Sequence, residues 1–224
     1  MKVLVIAPHM DDEVLGTGGA IARHVEQGDR VSVVIAANRA YNHRYRPASI
    51  RQEEACARKA QKVLGYRELT FLHLPDEKLD QGQGLLNLIV PLEKTVRTAK
   101  PDLVYLPYRA DLNQDHRAVY EAGVIACRPL AAVRPSRLVC YEVPSSTDQR
   151  PALNGDHFAP NWYLPLSGAQ LKKKTEALKC YKRELRKFPH PRSLKGVELL
   201  AAKRGTEVGA PAAEAFLIVR EISS

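Results

Sequence analysis

The sequence predicts an α/β fold, a Rossmann-like three-layer sandwich built on a mostly parallel sheet. Short apolar runs of strand length alternate with segments whose apolar residues recur at helical spacing, and strands separated by helices in this rhythm form parallel sheets covered on both faces. No Ser/Gly-rich or Pro-rich spacer divides the 224 residues, so residues 1–224 are expected to form a single domain with one substantial core.

Val3-Leu4-Val5-Ile6 is the first buried strand, and Val14 to Gln27 is an amphipathic helix that stops at Gly28. Arg30 to Ala36 is the second strand and closes a β-α-β unit, after which Asn38 to Ala48 reads as a loop. Ser49 to Leu64 is a helix, with Ser49 and Gln52 as a capping box and Gly65 as its stop. Leu69 to Leu74 is the third strand and runs into Pro75-Asp76. Leu85 to Ala99 is a helix in which Pro91 implies a kink or a late start. Asp102 to Pro107 is the fourth strand, Arg109 to Asp115 a loop, His116 to Cys127 a helix and Arg137 to Val143 the fifth strand. The pattern is then irregular as far as Pro160. A helix capped by Ser167 and Gln170 extends to about Leu185, a shorter one covers Ser193 to Arg204, and Glu214 to Val219 is a final strand.

Composition narrows the function. The net charge of +9 is compatible with anionic partners, but the basic residues are dispersed and aromatics make up 6% of the chain, so stacking platforms are not expected and no nucleic acid is expected as partner. Lys172-Lys173-Lys174 reads as a solvated helix face. No stretch approaches the ~20 apolar residues of a membrane span, so no integral membrane segment is expected and the chain reads as cytoplasmic. Cys56, Cys127, Cys140 and Cys180 are widely spaced without a CxxC pair and read as free thiols. The pattern is compatible with a homo-oligomer but does not specify one.

The chemistry gathers where strands end. In open α/β sheets ligands bind beyond the C-terminal ends of the strands. His9, Asp11 and Asp12 follow the first strand, Asp76 the third, Asp111, Asn113, Asp115 and His116 the fourth, and Ser145 to Thr147 the fifth. With the first strand central and the fourth beside it, His9, Asp12 and His116 could converge. Two imidazoles and a carboxylate with a fourth position open are the ligand set of a catalytic zinc site, and they also suit Fe(II). A non-haem iron oxygenase and a non-catalytic sugar- or nucleotide-binding module are therefore alternatives. Gly16-Thr17-Gly18-Gly19 does not read as a dinucleotide fingerprint, because the turn before it is acidic and would repel a pyrophosphate; close helix packing explains these glycines.

Pro8-His9-x-Asp11-Asp12-Glu13-x-x-Gly16-x-Gly18-Gly19, followed by Asp111-x-Asn113-x-Asp115-His116, resembles the PIG-L/LmbE family of metal-dependent N-acetylglucosaminyl deacetylases. Arg51-x-x-Glu54, Glu142-x-Pro144-Ser145-Ser146-Thr147, His190-Pro191-Arg192-Ser193 and Ala213-Glu214-Ala215-Phe216 extend the resemblance, the last two towards a bacterial branch. The resemblance implies a zinc-dependent hydrolase that removes acetyl from an N-acetylated sugar or sugar conjugate. It implies His9, Asp12 and His116 as metal ligands, Asp11 as general base, and Arg51 and Asp76 as sugar contacts. Family members often carry a histidine where this chain has Asn113, and Asn cannot transfer a proton. That leaves Asp11 or His190 to protonate the leaving amine. Glu13 reads as support in the first helical turn, and the segments 38–48 and 145–161 as the loops that select the rest of the substrate.

Overall fold

The computed structural model describes residues 1–39, 46–151 and 155–223. Seven strands form one sheet in the order β3-β2-β1-β4-β5-β7-β6. The strands are β1 (Lys2–Ala7), β2 (Arg30–Asn38), β3 (Glu68–Pro75), β4 (Leu103–Pro107), β5 (Arg137–Tyr141), β6 (Trp162–Pro165) and β7 (Ala213–Glu221). β3 to β5 through β1 are parallel, whereas β7 runs antiparallel to both β5 and β6. The helices are α1 (Asp12–Glu26), α2 (Pro47–Leu64), α3 (Gly84–Ala99), α4 (Gln114–Ala126), α5 (Gly168–Leu178) and α6 (Leu194–Thr206).

Alternate residues along the central strands feed two cores, as the period of two requires. Val3, Val5, Val33, Ile35, Tyr105, Val139, Tyr141 and Phe216 pack with α1, α2, α5 and α6 on one face. Leu4, Ile6, Val34, Val104, Leu106, Leu138 and Cys140 pack with α3 and α4 on the other. No helix among the described residues is long and apolar enough to cross a membrane. The four cysteines are free, Cys127 and Cys140 buried and the other two partly so.

Several boundaries differ from the sequence reading for identifiable reasons. α2 starts at Pro47 rather than Ser49 and has no capping box, because proline is well suited to the first helical position. α3 begins at Gly84 and carries Pro91 inside it, so the late start is not used. β6 was not expected at all; it is a four-residue strand at the sheet edge ending on a proline, too short to show a pattern. α5 keeps the expected Ser167/Gln170 capping box but stops at Leu178, seven residues before Leu185. Lys174 is buried rather than solvated: its Nζ lies 2.5 Å from Glu214 Oε1 and donates to the Leu15 carbonyl at 2.8 Å. Residues 40–45 of the loop 38–48 lie outside the described residues, as do 152–154 of 145–161.

The glycines of α1 are a packing device. A Cβ on Gly16 would lie 2.1 Å from Tyr141 Cδ2, and one on Gly19 would lie 2.4 Å from Leu166 Cδ1. The N–H groups of Gly19 and Ala20 donate to the Glu214 carboxylate at 2.8 and 2.7 Å, which leaves no place there for a pyrophosphate. Gly16→Ala is expected to cost about 1–3 kcal/mol through overpacking against a fully buried tyrosine, read as a lowered midpoint in urea unfolding. An unchanged midpoint would show that Tyr141 moves aside freely.

Candidate functional site

The site lies where β1 turns into α1. Asp11 is the N-cap of α1 at φ 114°, ψ −28°, a left-handed conformation that a non-glycine residue adopts only under constraint, and its side chain makes no cap bond. Its N–H donates instead to Glu13 Oε2 at 3.0 Å, and Tyr181 donates to Glu13 Oε1 at 2.5 Å. Glu13 is fully buried, and burial pushes its carboxyl up to about 8 despite these two donors. It supports the first helical turn as a buried brace for the Asp11 backbone.

His9, Asp12 and His116 converge. His9 Nδ1 and His116 Nε2 lie 3.1 and 3.2 Å from the same oxygen, Asp12 Oδ2, and the ligand atoms of the three residues all fall within 4.8 Å of one another. Asp12 Oδ1 is buried with no hydrogen-bond partner. Donors about 2.0–2.1 Å from a tetrahedral ion sit ~3.3 Å apart, so the spacing of this cluster and its bare carboxylate oxygen fit a divalent cation. Electrostatics agree. Burial alone would push Asp12 up and the imidazoles down, but mutual attraction reverses both effects: Asp12 lies well below the usual carboxylate range and His116 rises to about 9. His9 is likewise raised, by Asp115, Asp12 and Asp76 acting against its burial. A cage that holds protons this tightly is an anionic cage that a cation can occupy in their place.

A surrounding layer aims the imidazoles. His9 Nε2 lies 2.9 Å from Asp76 Oδ1 and 3.3 Å from Asp115 Oδ2. Asp115 is itself fixed by the N–H groups of Glu77 (2.6 Å) and Leu79 (3.2 Å). His9, Asp76 and Asp115 also meet the spacing of a cation site, but Asp115 is already committed to two backbone donors and both acids face the Nε2 edge, so they read as orienters of His9. His116 Nδ1 lies 3.3 Å from Asp111 Oδ2 outside hydrogen-bond geometry. Asp111 accepts from the Ser146 and Thr147 hydroxyls and from the Asn113 N–H, which with His116 hold its carboxyl below the usual range against the effect of burial.

The Asp11 carboxylate carries an arginine on each oxygen. Arg39 Nη2 lies 3.2 Å from Oδ1 and Arg192 Nη1 lies 3.1 Å from Oδ2, and both guanidinium groups also lie 3.4 Å from Glu184 Oε2. Burial raises the Asp11 carboxyl and the arginines pull it back, leaving it at about 6.

Asn113 and His190, singled out from the sequence, are engaged elsewhere, and Arg51 stands exposed. Asn113 is the N-cap of α4, its Oδ1 accepting from the Asp115 N–H at 2.8 Å. His190 Nδ1 accepts from the Arg192 N–H at 3.0 Å, and no hydrogen bond or ion pair joins it to His9, Asp11, Asp12 or His116 among the described residues. Arg51 is exposed in the first turns of α2, and Glu54 lies 3.5 Å from His73 Nδ1. Arg39, Tyr181, Glu184 and Arg192 received no role from the sequence. Arg192 had a usable signal in its motif, and Arg39 in its place directly after a strand; Tyr181 and Glu184 had none.

Comparisons with known proteins bear on this geometry. The PIG-L family model, described as GlcNAc-PI de-N-acetylase, matches residues 4–127. A protein of Escherichia coli (strain K12) named uncharacterized deacetylase YaiS is 31% identical over 149 residues, covering 64% of this chain and 75% of that protein. Among solved structures, the N,N'-diacetylchitobiose deacetylase of Pyrococcus horikoshii superposes with a TM-score of 0.76 at 18% identity, over 97% of this chain and 83% of that one. GalB, the 4-carboxy-2-hydroxymuconate hydratase of Pseudomonas putida KT2440, superposes with a TM-score of 0.79 at 20% identity, over 100% and 98%. At these identities the structural likenesses establish a shared fold, one on which both a deacetylase and a hydratase are built.

Proposed function

Because the chain belongs to the PIG-L family, that of the GlcNAc-PI de-N-acetylases, we propose that it hydrolyses the acetamide of an N-acetylglucosamine-type sugar or conjugate, with zinc as the metal and Asp11 as general base. By family it is a metal-dependent N-deacetylase, a hydrolase. The observation that carries the finer reading is the convergence of His9, Asp12 and His116 with the Asp11 carboxylate adjacent in the chain.

His9, Asp12 and His116 would hold the metal, through two imidazole nitrogens and a carboxylate oxygen, the donor set of catalytic zinc. When bound, such an ion supplies Lewis-acid polarisation of the amide carbonyl and a water of lowered pKa. The chain's own groups do the rest. Asp11 is ionised at neutral pH and keeps lone pairs not taken by its two arginines, so it can accept a proton from the attacking water. Asp12 points to the cation site while Asp11 does not, because successive side chains diverge at the turn. Asn113 has no proton to give and its oxygen is used in the cap, and His190 is held in its turn. Asp11, already carrying the proton after attack, therefore returns it to the leaving amine. Arg51 and Asp76 divide: Arg51 is exposed and available to sugar hydroxyls, whereas Asp76 serves His9.

The test is acetate release across a panel of N-acetyl sugars and conjugates, with metal content measured on the same sample. Turnover of at least one N-acetylglucosamine derivative, lost on chelation and restored best by zinc, is the expected result. A metal-replete protein that releases no acetate from any member of a broad panel, or that consumes oxygen with a 2-oxoacid, would overturn the reading.

A further inference from the structure

We infer that Arg192, with Glu184 and Arg39, forms a clamp that positions the carboxylate of Asp11, Arg192 being its fixed arm; this rests on the reading of Asp11 as general base. The need for a clamp follows from the backbone. Asp11 sits at a left-handed N-cap whose side chain makes no bond to its own helix, so nothing local sets the direction of its carboxylate. Among the described residues, the side-chain donors to that carboxylate are Arg39 on one oxygen and Arg192 on the other. Glu184 Oε2 lies between the two guanidinium groups at 3.4 Å from each, so cations and anions alternate around a closed ring of four side chains.

Arg192 is the fixed arm because its other edge is tied to the fold. Its Nε donates to Ser145 Oγ at 2.7 Å and to the Pro144 carbonyl at 3.4 Å, in the segment that follows β5. A planar guanidinium held along one edge presents its remaining N–H groups in a set direction, which a lysine ammonium cannot do. Both arginines have side chains 16% exposed, and Asp11 is fully buried, so these bonds act with little competition from water. Arg192 has no described contact with the cation-site residues His9, Asp12 and His116, and it acts on the reaction through Asp11. It is a positioning residue.

The route by which Glu184 reaches this ring accounts for an irregularity of the fold. α5 ends at Leu178 although the helical pattern of the sequence continues to Leu185. The turns that replace the helix bring Tyr181 to Glu13 and Glu184 to the arginines, so one short segment supports both the backbone and the carboxylate of Asp11.

The experiment is a double-mutant cycle on the metal-loaded protein, with turnover and metal content measured for Arg192→Ala, Asp11→Asn and the pair. Misplacing a catalytic group by an ångström costs on the order of 10²-fold in rate, so Arg192→Ala is expected to lower kcat by about that factor with KM and metal content near wild type. Arg192→Lys, which keeps the charge and is the safer variant for folding, is expected to lose at least about tenfold. In the Asp11→Asn background, Arg192→Ala should have no further effect, because groups acting through one another are not additive. Guanidinium ion added to Arg192→Ala should restore part of the rate, which it would not do for a defect in folding. Wild-type kcat in Arg192→Ala, a change confined to KM, or an equal loss in both backgrounds would each overturn the clamp. Full turnover in Asp11→Asn would instead overturn the base assignment, separating that failure from this one.

Discussion

Asp11→Asn is expected to reduce acetate release by about 10³-fold, within the range for loss of a general base, while the purified protein retains its metal. The substitution is isosteric, so the ligand cluster of His9, Asp12 and His116 keeps its shape. What is lost is the capacity to accept a proton. A second effect follows from the arginines. Asn offers one oxygen where Asp offers two, so either Arg39 or Arg192 must face an NH₂ group, donor against donor, in a buried site. Leaving such a donor unsatisfied costs about 1–3 kcal/mol, and the variant should unfold at a lower urea concentration than the parent. Metal stoichiometry, turnover and the unfolding midpoint on one preparation give all three readouts. Turnover at the parent rate would remove Asp11 as the base.

His116→Ala should lose the metal itself. Substituting a residue that merely orients a ligand weakens metal binding by about 10–100-fold, and removing a ligand should exceed that. The variant also strips Asp12 of the partner that does most to hold its carboxyl down against burial. With one imidazole gone, the fully buried Asp12 keeps only His9 as a partner for its Oδ2. The expected outcome is a protein that purifies without stoichiometric metal and shows no acetate release at zinc concentrations that saturate the parent. Stoichiometric metal at parent affinity would exclude His116 from the ligand set. Compared with Asp11→Asn, this variant separates holding the ion from using it.

Much of this site could be read from the sequence because its parts follow strands. His9, Asp11 and Asp12 stand directly after β1 and His116 shortly after β4, and β1 and β4 are hydrogen-bonded neighbours in the sheet. The acidity of the turn after β1 points to a cation from the sequence alone. Asp76 was legible as an acid at a strand end, but its partner was not, since whether it meets a sugar or His9 depends on how the β3–α3 segment folds back. Tyr181 and Glu184 were illegible for a related reason. They lie in turns after α5, where direction is imposed by tertiary contacts although the helical pattern of the sequence runs on to Leu185. The same holds for β6, which exists because β7 offers it an edge.

The ion pair of Lys174 and Glu214 has a consequence for how this protein can be divided. The family model ends at residue 127 and includes every proposed metal ligand. Yet α1, whose first residue is Asp12, is gripped halfway along by a strand and a helix that both come after that point, and the residues that brace and aim Asp11 come after it too. A fragment ending at Cys127 would contain every proposed ligand as a list of residues but not as an arrangement. Fragment complementation, or a graft of this C-terminal portion onto a relative, would have to carry Lys174 and Glu214 together with Tyr181, Glu184 and Arg192. The portion of the chain beyond the family model is, mechanically, the vise in which the matched portion is held.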